Sequence, residues 1–221
     1  MEPLRIDVVS DVMCPWCFIG KRRLEQALAE ASDVPVEVTW RPFQLDPTLP
    51  PDGKDRSAYL EEKFGGPERA AAIYDRVREA GREEGIAFAF DKITRSPNTL
   101  DAHRLIRWAA QEGVQDAMVE RLFELYFLEG ADLTRQETLV EAAVAAGMER
   151  EVVARLLAGA ADRMATEQEI AAAQHMGVTG VPCFILDGKY AVMGAQPAAT
   201  LASAIRQVYA ERASGAPASV A

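Results

Sequence analysis

Two cysteines separated by two residues are the feature of the sequence with the clearest chemistry. Cys14 and Cys17 follow the segment 4–10, which has the composition of a β-strand. They precede a stretch in which apolar residues recur at i, i+3, i+4 and i+7, the pattern of one helix face. A C-x-x-C pair at a strand-to-helix junction is typical of thiol–disulfide redox proteins. The sequence therefore predicts that these two side chains carry redox chemistry.

The junction also assigns different roles to the two thiols. Pro15 suits the first helical turn, because its missing N–H would be unpaired there in any case. The free N–H groups and the positive end of the helix dipole then point at the Cys14 sulfur and favour its thiolate. Cys14 is expected to be the exposed nucleophile, and Cys17 the more buried partner that closes the disulfide. Lys21, one turn after Cys17, is expected to be solvated.

Other interpretations of the cysteines and histidines stay open at this stage. Cys14 and Cys17 could be half of a zinc site, but the other ligands would have to come from Cys183, His103 and His175, in no recognised spacing. Cys183 lies in a predicted core strand, where a free cysteine is common, with a third redox or metal partner as the alternative. His103 is expected to make a hydrogen bond within a helical bundle rather than to act in catalysis.

Composition excludes several classes of function. The 221 residues carry a net charge of −10, which argues against a nucleic-acid-binding protein and gives no reason to expect binding to anionic membranes. No apolar run is long enough to span a bilayer. Glu2, Arg5 and Asp7 stand where a secretory signal needs an uninterrupted apolar region, so we expect a cytoplasmic protein. Three cysteines are too few for a disulfide scaffold and point to reactivity instead.

The order of predicted elements indicates an α/β protein. Residues 36–43 alternate in the manner of a second strand, parallel to the first, which completes a βαβ unit. Helical patterns then run from Ser57 to Met176, interrupted at Ile86–Phe90 by a short segment that we interpret as extended. The stretch 183–193 predicts two antiparallel strands joined by an Asp187-Gly188 turn, and a final helix follows.

This order resembles the DsbA-like thioredoxin superfamily. The stretches Met13–Gly20, Asn98–Arg104 and Gly180–Pro182 together look like its FrnE-type branch. Asn98–Arg104 is also similar to the related kappa-class glutathione transferases and 2-hydroxychromene-2-carboxylate isomerases. Those proteins typically have a serine near the position of Cys14 and lack the second cysteine. The presence of both cysteines favours the disulfide branch.

The resemblance implies a thioredoxin fold with an inserted all-helical subdomain. Residues 1–53 and 178–213 would form a discontinuous thioredoxin-like domain, and residues 54–177 the helical insertion. Residues 214–221 would be a flexible tail.

The resemblance further implies which residues meet a substrate. The Val181–Pro182 peptide bond would be cis and lie against the Cys14 sulfur. The Val181 backbone would there pair with an extended substrate segment. Pro15 and Trp16, between the two cysteines, are the other expected substrate contacts.

The function expected from residues and resemblance is that of a thiol–disulfide oxidoreductase. It would act as reductase, isomerase or oxidase on protein disulfides or on small thiols, glutathione included, without a metal or an organic cofactor. A reducing cytoplasm would hold the pair as a dithiol, which favours reductase or isomerase work. Two alternatives are a glutathione-dependent transferase or isomerase of small aromatic compounds, in which only Cys14 matters, and a non-enzymatic binding protein or chaperone. The oligomeric state is open.

Overall fold

The computed structural model describes residues 2–214, which form an α/β structure. In chain order the elements are β1 (Leu4–Ser10), α1 (Pro15–Glu30), β2 (Val36–Pro42), β3 (Lys54–Asp55), α2 (Arg56–Phe64), α3 (Pro67–Glu83), β4 (Arg95–Ser96), α4 (Leu100–Gln111), α5 (Gln115–Glu124), α6 (Gln136–Ala145), α7 (Arg150–Ala158), α8 (Arg163–His175), β5 (Cys183–Leu186), β6 (Tyr190–Met193) and α9 (Ala198–Ser214). The predicted tail lies outside the described residues, except for Ser214, which is the last residue of α9 and not part of a tail.

Strands from both ends of the chain share one four-stranded sheet, in the order β2-β1-β5-β6. β1 runs parallel to β2 and antiparallel to β5, with Leu4 beside Val36 and Val9 beside Cys183. The parallel second strand predicted from the sequence is thus confirmed. Asp187 and Gly188 both have positive φ, 53° and 68°, as the tight turn between β5 and β6 requires.

The two faces of the sheet carry different cores, because successive side chains of a strand point in opposite directions. On one face, Leu4, Ile6 and Val8 of β1 belong to the main core, beneath α1 and α9, which pack against each other. On the other face, Val9 and Cys183 form a small core with residues of α8 and the loop after it. The first face of the sheet therefore supports α1, the helix that begins directly after Cys14.

Residues 86–90, which the sequence predicted to be extended, form no β-strand. Residues 86–89 are irregular and Phe90 begins a short 3₁₀ turn, Phe90–Lys92. The Ala89 N–H donates to the Phe127 carbonyl at 2.8 Å, and the rings of Phe88 and Phe90 stack with their centroids 4.7 Å apart. The apolar residues of this segment are anchored in an aromatic cluster and pair with no strand.

That aromatic cluster joins α1 to the helices that follow it. The Phe18 ring of α1 stacks on Phe123 at 5.1 Å between centroids and lies 6.2 Å from Phe127. Phe127 belongs to a π-helical turn, Leu125–Glu129, that follows α5.

None of the helices within residues 2–214 combines the length and the apolar character of a transmembrane span. The division into two domains at residues 54 and 177 stays a prediction.

Candidate active site

The loop between β1 and α1 is held by a buried carboxylate. Asp11 is fully buried, and its Oδ2 accepts a hydrogen bond from the Leu45 N–H at 2.8 Å. Its Oδ1 lies 3.4 Å from the Met13 N–H and 3.4 Å from Nε2 of His103. Asp11 was not among the predicted site residues, because its partners Leu45 and His103 are distant in the chain. Asp11 ties the segment before Cys14 to the loop after β2.

Cys14 is the residue that precedes the first helical turn, and Pro15 is the first residue of α1, as predicted. The helix N–H groups do not donate to the Cys14 sulfur, contrary to expectation. The thiol instead donates to the Val181 carbonyl, with 3.6 Å between sulfur and oxygen. Cys14 is only 4% exposed, so the expectation of an exposed nucleophile was also wrong. A substrate must reach it through the cavity described below.

Cys17 lies deeper than Cys14, as predicted, and is fully buried. All three cysteines are free thiols, and Cys14 and Cys17 lie close together without a disulfide. Burial raises the pKa of Cys17 well above its ordinary value, and the neighbouring Cys14 raises it further. Cys17 is therefore a neutral thiol at pH 7.

The raised pKa predicts a pH-dependent stability of the reduced protein. In the unfolded chain Cys17 ionises near pH 8.5, whereas in the folded chain it remains neutral to higher pH. Its contribution is thus complete below about pH 8.5 and falls by about 1.4 kcal/mol per pH unit above it. Urea unfolding with reductant at pH 7, 9 and 10 measures this. The stability of wild type relative to Cys17→Ala should decline over that range. A difference that stays constant with pH would contradict the raised pKa of Cys17.

The Val181–Pro182 bond is cis, as the resemblance implied, and the segment packs closely on α1. A Cβ atom at Gly20 would lie 2.8 Å from Cγ of Pro182 and 3.3 Å from the Phe184 ring. Only glycine lets the helix approach the Pro182 ring this closely. Gly20 thereby helps to hold Val181 against the Cys14 sulfur, a role that the sequence analysis did not assign.

Gly20→Ala is therefore expected to destabilise the protein by about 1–3 kcal/mol, the usual effect of overpacking. Without the contact, alanine in a helix would stabilise by about 0.5–1 kcal/mol, so the sign of the change is diagnostic. Urea unfolding measures it. Gly159→Ala is the control, because a Cβ there meets nothing closer than 3.8 Å and its φ is negative. A stabilised Gly20→Ala variant would refute the close packing.

A cavity of about 290 Å³ opens beside Cys14, and we call it the Cys14 cavity. Trp16, 36% exposed, stands at this site between the cysteines, as expected. The lining combines the cysteine loop, the Val181 segment and the helices α2 and α3: Met13, Cys14, Pro15, Trp16, Leu45, Arg56, Tyr59, Leu60, Lys63, Phe64, Ile73, Tyr74, Val77, Gly180 and Val181. The structure thus brings Cys14, Pro15, Trp16 and Val181 together around one opening. Pro182 and Cys17 lie behind it.

The family model of the DSBA-like thioredoxin domain matches residues 5–206. The chain belongs to this family. The crystal structure of a probable DsbA oxidoreductase, SCO1869 from Streptomyces coelicolor, is 35% identical to this DSBA-family chain. The match covers 99% of this chain and 94% of that one, with a TM-score of 0.86. The predicted thioredoxin fold with a helical insertion is confirmed. The insertion is not all-helical, however, because β3 and β4 pair as a small antiparallel sheet within it.

Two more distant structures share the fold of this DSBA-family protein. The cytosolic disulfide reductase DsbM from Pseudomonas aeruginosa, solved with glutathione, is 17% identical. It matches with a TM-score of 0.65 over 93% of this chain and 99% of that one. A 2-hydroxychromene-2-carboxylate isomerase, also 17% identical, has a TM-score of 0.63 over 96% and 100% of the two chains. A disulfide reductase and a 2-hydroxychromene-2-carboxylate isomerase are thus both among the structures that share this fold.

Lys21 of the DSBA-family chain departs from expectation. It is 3% exposed and therefore not solvated. Its Nζ lies 3.1 Å from both Asp116 and Glu120 and also pairs with Glu25. Burial works against its charge, but the hydrogen bond to Glu25 and the three carboxylates outweigh it and raise the pKa of Lys21. The residue links α1 to α5 and does not tune the thiols.

Cys183, His103 and His175 do not line the Cys14 cavity, and each makes contacts within the fold. Nε2 of His103 donates to the Phe43 carbonyl at 2.8 Å, a buried hydrogen bond of the kind expected. Cys183 is fully buried among Val9, Phe43 and neighbouring apolar residues, and burial raises its pKa. His175 stands in the last turn of α8, where its Nδ1 donates to Ala171. Among the described residues, no three His, Cys, Asp or Glu side chains form a group that could hold a metal ion.

Proposed function

We propose that the protein is a thiol–disulfide oxidoreductase in which Cys14 attacks and Cys17 resolves. One observation carries the proposal: the Cys14 thiol faces both the Val181 carbonyl, at 3.6 Å, and an open cavity, with a buried second thiol one turn behind it. Membership of the DSBA-like family supports it. A thiol that lines a cavity, with a second and more deeply buried thiol beside it, suits two-step exchange.

The reaction proceeds in two exchanges. The Cys14 thiolate attacks one sulfur of a substrate disulfide, a Cys14–substrate disulfide forms, and the other sulfur leaves as a thiolate that takes up a proton. Cys17 then loses its proton and attacks the Cys14 sulfur, which releases the second substrate thiol. The substrate disulfide has been reduced by two electrons, and the Cys14–Cys17 pair oxidised by two. The reverse sequence oxidises a dithiol.

Backbone and side chains beside Cys14 would position the substrate. The Val181 backbone would pair with an extended segment, as in strand addition. Trp16, with its exposed ring, would cover the apolar flank of the disulfide. The substrate is a protein disulfide or a small thiol, and the likeness to a reductase solved with glutathione keeps glutathione among the candidates. The cytoplasmic location predicted from the sequence is part of this proposal.

Insulin reduction in the presence of dithiothreitol tests the proposal. Wild type should accelerate precipitation of the insulin chains, and Cys17→Ser should lose most of that activity. Cys183→Ser is the matched control, since that thiol is buried outside the Cys14 cavity and should leave the rate unchanged. A Cys17→Ser variant that keeps its full rate would favour the transferase alternative. A wild type that shows no thiol-dependent activity would favour the binding protein.

A further inference from the structure

The electrostatics of the Cys14 cavity differ from those of the whole chain. The protein carries a net charge of −10, yet the cavity lining contains two cations, Arg56 and Lys63, and no aspartate or glutamate. The rest of the lining is mostly apolar, with four aromatic rings from Trp16, Tyr59, Phe64 and Tyr74. An apolar pocket with a few placed polar groups is the usual form of a small-molecule site.

Of the two cations, Arg56 is the buried one. Its side chain is only 7% exposed, and within residues 2–214 neither Arg56 nor Lys63 makes an ion pair with a carboxylate. One of its five N–H groups donates to the Tyr126 hydroxyl at 3.1 Å. Lys63, in contrast, is exposed and donates to the Tyr59 hydroxyl at 2.7 Å. A buried charge without a counter-ion is costly, so its retention here calls for an explanation.

The Arg56 side chain is held in place by its surroundings. It begins α2, directly after the short strand β3, and the Asp55 carboxylate caps that helix by accepting from the Ala58 N–H at 3.0 Å. The Tyr126 hydroxyl donates to the Arg95 carbonyl at 3.1 Å, which leaves its oxygen oriented to accept from Arg56. The guanidinium carbon also lies 5.1 Å from the centre of the Tyr74 ring. These contacts fix the guanidinium at the cavity wall.

We propose that Arg56 binds the carboxylate of a small, apolar thiol or disulfide whose sulfur reacts at Cys14. The aromatic walls favour an aromatic body, and a guanidinium matches a carboxylate with two parallel hydrogen bonds. This inference rests on the proposed thiol chemistry and adds its substrate class. Arg56 also lines a second cavity, which is a poorer place for an anion: Glu61 and Asp91 line it, and the charge of its other cation, Arg78, is paired with Asp75.

Two aromatic disulfides, one with carboxylates and one without, test the proposal. 5,5′-Dithiobis(2-nitrobenzoate) carries carboxylates and 4,4′-dithiodipyridine does not. In each reaction the Cys14 thiolate forms a mixed disulfide and one aromatic thiolate leaves; Cys17 then displaces the second. Stopped-flow absorbance gives the rate constant of the first step for each reagent. The ratio of the two constants cancels any change in the nucleophilicity of Cys14 itself.

Arg56→Gln should lower the anionic-to-neutral ratio by about 10- to 100-fold, the range for a lost charge-assisted hydrogen bond. Arg56→Lys should recover part of the loss. Arg82→Gln is the control for net charge, because that exposed residue of α3 pairs with Glu79 and does not line the cavity. An unchanged ratio in Arg56→Gln, or an equal fall in Arg82→Gln, would overturn the proposal.

A measurement on wild type keeps the proposal testable if the Arg56 variants do not fold. Benzoate should slow the alkylation of Cys14 by iodoacetamide at concentrations where benzamide, its neutral isostere, has little effect. Equal protection by both compounds would refute a role for the charge. These results are separable from the insulin assay, because the first exchange step needs only Cys14. The carboxylate preference could hold even if Cys17 proved dispensable, and it could fail while disulfide reduction remained.

Discussion

Cys17→Ser is expected to accumulate a substrate disulfide as a mixed disulfide on Cys14, whereas Cys14→Ser is expected to form no adduct and to lose exchange down to the rate of the buffer. Cys14 lines the Cys14 cavity, where its sulfur can react with a substrate disulfide. Cys17 is fully buried, so the sulfur that it can attack is that of Cys14. Removing Cys17 leaves the first step intact and removes the second. Intact-protein mass spectrometry after incubation with a disulfide substrate, followed by peptide mapping, gives the position of the adduct.

Cys183→Ser in the Cys17→Ser background is the matched control for this experiment. Cys183 is buried on the opposite face of the sheet, so its removal should not change the amount of adduct. Adducts found mainly on Cys183, or an equal yield with Cys14 replaced, would contradict the assignment of the nucleophile. An absence of adducts on every cysteine would shift the interpretation to a binding protein.

Phe18→Ala should be the most damaging single core substitution near the site, with a loss of about 3–5 kcal/mol in the free energy of unfolding. Phe18 is 1% exposed, directly follows Cys17, and joins α1 to the aromatic rings of Phe123 and Phe127. Its removal leaves a cavity between α1 and the helical part of the chain. Urea unfolding followed by circular dichroism measures the loss.

Val152→Ala is a suitable control, since that side chain is 43% exposed on α7 and its truncation should cost no more than about 0.5 kcal/mol. A Phe18→Leu variant, which keeps most of the volume, should fall between wild type and alanine. A loss below about 1 kcal/mol for Phe18→Ala would show that the aromatic cluster does not hold α1 in place.

The features that the sequence predicted correctly depend on short-range chemistry. The position of Cys14 before the helix follows from Pro15 beside it, and the β5–β6 turn from Asp187-Gly188. The composition of residues 4–10 likewise predicts the strand β1. In each case the residues that decide the structure lie within a few positions of one another.

The features that it did not predict depend on partners far away in the chain. The sequence predicted a solvated Lys21, because Asp116 and Glu120, whose carboxylates pair with its ammonium group, belong to another helix. Residues 86–90 have the composition of a strand, but no neighbouring strand is there to pair with them. Residues of α2 and α3 line the cavity beside Cys14, and Arg56 is seen to face that cavity only in the folded structure.

The pairing of β1 with β5 has a consequence for how the chain folds. Val9 lies beside Cys183, so β1 has only one neighbour until most of the polypeptide has been synthesised. The helices between them can form from local contacts, whereas the sheet requires the closure of a very long loop. Until then β1 presents an unpaired edge, the kind of surface that draws in other chains. We therefore expect sheet completion to limit the folding rate, and the nascent β1–α1–β2 unit to be the part most in need of protection from aggregation.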